Sequence, residues 1–239
     1  MKPFSKAVFV RDIVRRIKAQ FWLKTFGIPG FMALFFLGYF LILNFPFFEV
    51  TVMPLTVVDR IVSYHNSAWI LYVSLWIYVQ IPPMLIDSRR ELLTYGWTAA
   101  LVSLVGFGIF FFWPTAVPAV AVQDASSSLL SIRSLDTTGN SCPSLHVAFS
   151  VFTAVWLEVF LRRLRGVSLS RWINILWCLG IVYSTMGTKQ HVFIDTIPGA
   201  LLGLAGGWLQ MKLVQRHAQR TNGKPVPELA QINPAARKL

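Results

Sequence analysis

Two strings in the chain concentrate the side chains suited to acid–base and nucleophilic chemistry. In Ser184-Thr185-Met186-Gly187-Thr188-Lys189-Gln190-His191-Val192-Phe193-Ile194-Asp195, an imidazole and a carboxylate stand four residues apart. On the first turn of a helix that spacing puts them on one face. The carboxylate can then accept from one imidazole nitrogen, fix the tautomer and leave the other nitrogen as a nucleophile or base. The second string, Cys142-Pro143-Ser144-Leu145-His146, carries Pro and Ser where an apolar run begins. It predicts a capped helix start with backbone N–H groups and the positive end of the dipole beside His146, a setting that attracts anions. Together the strings offer nucleophilic attack and proton transfer at an anionic centre. Two histidines and a carboxylate are also part of a zinc site, but no further ligand stands next to them in the chain. A capped helix with an incidental histidine, or a buried His–Asp pair tying helix ends, would use the same residues without chemistry.

The elements that must position these residues belong to a membrane. Of 239 residues, 55% are hydrophobic and 13% charged, with a mean hydropathy of +0.57; a soluble domain carries about 25% charge. Runs near 26–44, 67–86, 95–113, 146–161, 171–186 and 193–211 approach the roughly 20 apolar residues that a bilayer needs. The fold class expected is therefore all-α, a six-transmembrane helix bundle. The formal net charge of +12 suggests nucleic acid until the basic residues are placed. With the N-terminus inside, all but Arg60, Arg133 and Lys189 fall on cytoplasmic segments, as the positive-inside rule requires. The charge is topology, and no nucleic-acid partner is expected. Residues 1–25 form a basic cytoplasmic arm without the cleavage site of a signal peptide. Wound as a helix, the arm gathers Phe9, Val10, Ile13, Val14, Ile17 and Phe21 on one arc, with Arg11, Arg15 and Lys18 facing away, the pattern of an interfacial amphipathic helix. Residues 26–211 form the six-span domain, and 212–239 a basic tail expected to be disordered. Both titratable strings then lie at the external surface, and a long connection rich in Ser, Thr, Gly and Asp, 114–142, which holds Arg133, leads into the Cys142–His146 string. Asp87, Arg89, Arg90 and Glu91 make a short solvated connection, Glu158 pairs with Arg162, and Cys142 fills a loop. The tryptophans suit lipid-facing belts.

The strings PSLH and STxxTKQHxxxD resemble the second and third motifs, PSGH and SRxxxxxHxxxD, of the type 2 phosphatidic acid phosphatase superfamily. Within it the chain is similar to the inositolphosphorylceramide synthase-like branch, and the resemblance covers residues 67–211. It implies that His191 attacks phosphorus to form a phosphohistidine and that His146 protonates the leaving oxygen, with Asp195 orienting His191. Two departures stand out. The superfamily's first motif, KxxxxxxRP, has no counterpart between Gly108 and Pro118, and Thr185 stands where the third motif has Arg. Lys189 and Arg133 are expected to take over phosphate binding, with Ser144, Ser184 and Thr185 completing the substrate-binding set. The expected activity is a lipid phosphatase acting on a lipid phosphate or diphosphate, without metal or cofactor. The expected location is a bacterial inner membrane, with both termini cytoplasmic and the site external. A phosphotransferase with a lipid or sugar hydroxyl as acceptor would use the same residues. A small proton-coupled transporter is disfavoured, because the ionisable groups cluster at one surface instead of the midplane.

Overall fold

The computed structural model describes residues 6–118, 138–163 and 168–222, and helix dominates them. In chain order the helices are α1 (Lys6–Lys18), α2 (Phe21–Asn44), α3 (Val57–Ile61), α4 (Ala68–Tyr78), α5 (Ile81–Leu85), α6 (Arg89–Phe112), α7 (Leu145–Arg163), α8 (Ser168–Gly187) and α9 (Phe193–Asn222). The all-α expectation lacks one feature, a sheet of three two-residue strands: β1 (Thr51–Val52), β2 (Thr115–Ala116) and β3 (Thr138–Gly139). β1 pairs parallel to β2, and β2 antiparallel to β3. Among the described residues five stretches are long and apolar enough to cross a bilayer: Phe21–Asn44, Ala68–Leu85, Arg89–Phe112, Leu145–Arg163 and Phe193–His217. Helix α8 has comparable length, about 30 Å at 1.5 Å per residue, but Arg171 and Asn174 dilute its apolar content. By length and composition, five of the expected six spans are found among the described residues. The last helix runs past residue 211 to Asn222, while the tail beyond it and Arg133 lie outside the described residues.

Helix α9 seats itself on α7 through glycines four residues apart. A Cβ on Gly199 would sit 2.5 Å from the Ser144 carbonyl oxygen, and one on Gly203 would sit 2.3 Å from that of Ala148. Only glycine permits this approach, the small-residue contact used between membrane helices. It brings the helix that carries Asp195 against the first turns of the helix that carries His146. Elsewhere the helices are tied by buried polar pairs. The Tyr78 hydroxyl donates to Asn174 Oδ1 (2.6 Å), whose amide donates to the Ala154 carbonyl (3.0 Å), and Thr98 donates to Gln210 Oε1 (2.9 Å). These links join α4 to α8 and α7, and α6 to α9. In hydrocarbon a buried polar group needs such a partner.

At the end of the bundle away from both motifs, Asp87 anchors α1. It takes Arg15 at 3.0 Å and Arg16 at 3.5 Å, and the Arg16 guanidinium lies 5.3 Å from the centre of the Phe160 ring. Asp87 was expected to be solvated; the arginines of the arm reach it because α1 folds back onto α5. Hydrogen bonds from Arg16 and Arg15 hold the Asp12 carboxyl below its usual value. Val10, Val14 and Ile17 remain exposed along α1. Glu158 pairs with Arg162 at 2.7 Å, as expected, and also with Arg171 at 2.6 Å.

Candidate active site

The site is built outward from the small sheet. Thr115 on β2 is fully buried; its carbonyl accepts from the Ser141 N–H (3.1 Å) and its hydroxyl from the Cys142 N–H (2.7 Å). The segment before α7 is thereby fixed, and Ser141 reaches two ways. Its carbonyl lies 3.0 Å from His191 Nδ1, and its hydroxyl donates to Asp195 Oδ2 at 2.5 Å. Next along the chain, the Ser144 hydroxyl accepts from the Val147 N–H at 3.3 Å, the cap expected from the sequence. The Ser144 N–H is spoken for, donating to the Asp195 carbonyl at 3.1 Å. Burial, with the Asp195 carboxylate nearby, pushes the Cys142 thiol up to about 12, which suits a buried filler.

His191 is delivered by the C-terminal turn of α8. The N–H groups of Gln190 and His191 both donate to the Thr185 carbonyl at 3.1 Å, and Lys189 takes a left-handed φ of 58° to close the turn. The hydroxyls of Ser184 and Thr185 donate to carbonyls of their own helix, those of Ile181 and Val182. His191 itself is 4% exposed. A carbonyl only accepts, so its partner Nδ1 carries the proton, and in the neutral ring Nε2 holds the lone pair. The expected His191–Asp195 hydrogen bond is not formed, since Nδ1 and Oδ2 are 3.7 Å apart. Asp195 instead reaches back to the Val192 N–H (3.1 Å) and caps its own helix, while its charge stays close to the imidazole. Its other oxygen, Oδ1, is buried without a hydrogen-bond partner among the described residues.

His146 faces this group from the first turn of α7. Its ring stacks on Tyr72 with centroids 4.2 Å apart, meets the edge of Trp76 at 5.7 Å, and lies 6.0 Å from the ring of His191. The Tyr72 hydroxyl is 3.4 Å from His146 Nδ1. Trp76 thus turns inward, whereas Trp97, Trp113 and Trp172 are exposed, as belt residues would be. Among the described residues no three His, Cys, Asp or Glu side chains gather as metal ligands would.

Of the expected residues, the structure brings His146, His191, Asp195 and Ser144 together. Ser184 and Thr185 shape the turn that carries His191. Lys189 is engaged elsewhere, its ammonium donating to the carbonyls of Asp59 (2.8 Å) and Val62 (2.5 Å). Arg133 falls outside the described residues. Four residues were missed. Ser141 and Thr115 act through their carbonyls and through hydroxyls aimed by the fold, which composition does not reveal. Tyr72 looked like one more aromatic in a span. Asp59, 6% exposed, accepts from Thr56 and from the Phe193 N–H at 2.7 Å, clasping the first turn of α9. The Thr56-x-x-Asp59 capping box was its legible signal.

A family model described as the PAP2 superfamily matches residues 91–219, more than half of the chain. The chain belongs to the PAP2 superfamily. No curated protein and no solved structure matches it significantly. The PAP2 match opens in α6 and closes in α9, so it takes in both motifs and leaves α1 to α5 outside. Membership supports a phosphatase-type enzyme whose substrate is a lipid or other phosphate ester, carried on helices apolar enough for a membrane.

Proposed function

We propose that this PAP2 protein removes phosphate from a lipid phosphate or diphosphate through a phosphohistidine, without a metal. The observation that carries the reading is the convergence of two imidazoles from motifs far apart in the chain, 6.0 Å between ring centres, with His191 Nδ1 held by the Ser141 carbonyl. His191 Nε2 attacks phosphorus in line; the N–P bond forms as the ester P–O bond breaks, and His146 gives its proton to the departing oxygen. Asp195 balances the positive charge that develops on the His191 ring. In the second step His146 takes a proton from water, whose oxygen attacks phosphorus. The P–N bond breaks, freeing phosphate and neutral His191. The start of α7 at Ser144 favours the anionic group electrostatically. Arg133 is assigned the positive charge that the missing first motif would have carried, while Lys189, held by the Asp59 and Val62 carbonyls, and Ser184 and Thr185, bonded to their own helix, shape the turn that carries His191.

We assign both termini to the cytoplasm and the site to the outer face of a bacterial inner membrane, with α8 as the sixth span and α1 on the inner leaflet; the positive-inside distribution of Lys and Arg supports this orientation. The exposed Val10, Val14 and Ile17 support that position for α1. In the inositolphosphorylceramide synthase-like alternative, a hydroxyl replaces water in the second step. The test is purified protein in phosphatidylcholine nanodiscs with a panel of lipid phosphates and EDTA, scoring free phosphate and new lipids separately. Free phosphate at full rate is expected. New phospholipid would assign transfer, and loss of activity restored by zinc would overturn the imidazole mechanism.

A further inference from the structure

A cavity of about 550 Å³, partly open at its sides, where Trp97 and Val73 are exposed, runs between α2 and helices α4, α5 and α6 from His146 toward the opposite end. Its wall on α2 extends from Leu23 to Phe40, about 25 Å of helix at 1.5 Å per residue. The α4–α5 wall extends from Trp69 to Pro83, and the α6 wall from Leu92 to Ala100, the half of α6 remote from the site. Among the described lining residues there is no Asp, Glu, Lys or Arg, and the one imidazole is His146. The volume suits a single small hydrophobic ligand. The length exceeds one leaflet, about 15 Å of a 30 Å hydrocarbon core. A compact headgroup fits neither that shape nor that lining, but an extended hydrocarbon chain fits both. In the half remote from the site, midway along the α6 wall, stands Gly96, where an added Cβ would meet nothing within 4 Å. Most of these walls come from α2, α4 and α5, which lie outside the superfamily match.

We propose that this cavity holds one hydrocarbon chain of the substrate and that Gly96 sets how long that chain can be. The inference rests on the proposed function only in taking His146 as the point where the phosphate end sits. The Phe36–Trp76 ring pair, with centroids 5.1 Å apart, joins α2 to α4 along the cavity wall. A long chain fills the cavity to Gly96, while a short one stops near His146. A side chain at Gly96 therefore acts on long substrates alone. Each methylene it displaces lowers kcat/KM by about four-fold.

The test has two arms, both on the full-length protein in phosphatidylcholine nanodiscs. In the first, wild type, Gly96→Ala and Gly96→Leu are assayed with alkyl phosphates from butyl to octadecyl. For Gly96→Leu, an unchanged rate with butyl phosphate and a loss of about fifty-fold with octadecyl phosphate is expected, from about three displaced methylenes. An equal loss at every length, or none at any length, would overturn the role of Gly96. In the second arm a non-hydrolysable alkyl phosphonate with a terminal diazirine is photolysed on the protein, and the adducts are mapped. Label on Leu23, Leu92 or Leu93 is expected, moving toward Leu145 and Phe149 as the diazirine is placed nearer the phosphonate. Label confined to Leu34, Leu37 and Leu41, on the exposed face of α2, would overturn the cavity assignment. This arm needs no turnover, so label inside the cavity of an inactive protein would sink the phosphatase reading and leave the chain site standing.

Discussion

Replacing Asp195 by Asn removes one charge while keeping shape and hydrogen-bonding capacity. In the structure that charge lies 3.7 Å from His191 Nδ1, nearly out of water, since Asp195 is fully buried and His191 is 4% exposed. Two unit charges at that separation interact by about 4 kcal/mol at an effective dielectric of about 20. The imidazole gains between roughly half and one unit of charge when its Nε2 attacks phosphorus, so the variant loses about 2–4 kcal/mol of transition-state stabilisation, about 30- to 1,000-fold in kcat. Orientation does not change, because the Ser141 carbonyl, and not Asp195, holds Nδ1. The assay is single-turnover release of p-nitrophenol from p-nitrophenyl phosphate, with a thermal melt to confirm folding. Ser141→Ala serves as the comparison: it removes the hydroxyl donated to Asp195 but keeps the carbonyl, and its loss should be smaller than that of Asp195→Asn. A variant within three-fold of wild type and melting normally would refute the reasoning and leave Asp195 as a helix cap.

Gly203→Ala drives a methyl against the Ala148 carbonyl; overpacking of this kind costs about 1–3 kcal/mol, so both melting temperature and activity should fall, whereas Gly30→Ala, where a Cβ meets nothing within 4 Å, should change neither. Gln190 is 1% exposed with neither end of its amide hydrogen-bonded among the described residues. Burying an unmatched amide costs about 1–3 kcal/mol, so Gln190→Met should melt no lower than wild type and lose activity if the amide serves substrate; lower stability with full activity would mean that it serves the fold. The Cys142 thiol, raised to about 12, should resist iodoacetamide at pH 8 in the folded protein. The sign follows: the folded state keeps a proton that the unfolded chain releases above about 8.5, so this group subtracts stability as pH rises from there toward 12, and a melt series across that range reads it.

How much of this was legible can be told residue by residue. His146, His191 and Asp195 stood out because imidazoles and a carboxylate are rare inside apolar runs, and Ser144 because a capped helix start has a local signature. Long periodic runs gave the helices for the same reason. Helix α8 was legible too, as the run 171–186, but its apolar content is lower because Arg171 and Asn174 spend their polarity on Glu158, Tyr78 and Ala154, contacts between distant parts of the chain. The part of Thr115 was hidden, since two-residue strands have no periodicity. The Ser141 carbonyl was hidden as well, since every residue has one. Lys189 was taken for a phosphate ligand because few cations fall on external segments to replace the missing ones, and only the folded loop at 59–62 reveals the carbonyls that engage it.

The central claim is that His191 carries the phosphoryl group, and acid-sensitive labelling addresses it most directly. Wild type and the variants His191→Ala and His146→Ala are mixed with a phosphate-labelled activated ester, quenched in base and digested, and the label is mapped. The account predicts a base-stable, acid-labile adduct on His191, attached at Nε2 because Nδ1 is taken by the Ser141 carbonyl. It should be transient in wild type, absent in His191→Ala and long-lived in His146→Ala, where the group that activates water is gone. Label on His146, or turnover by wild type with no labelled protein at any quench time, would contradict it.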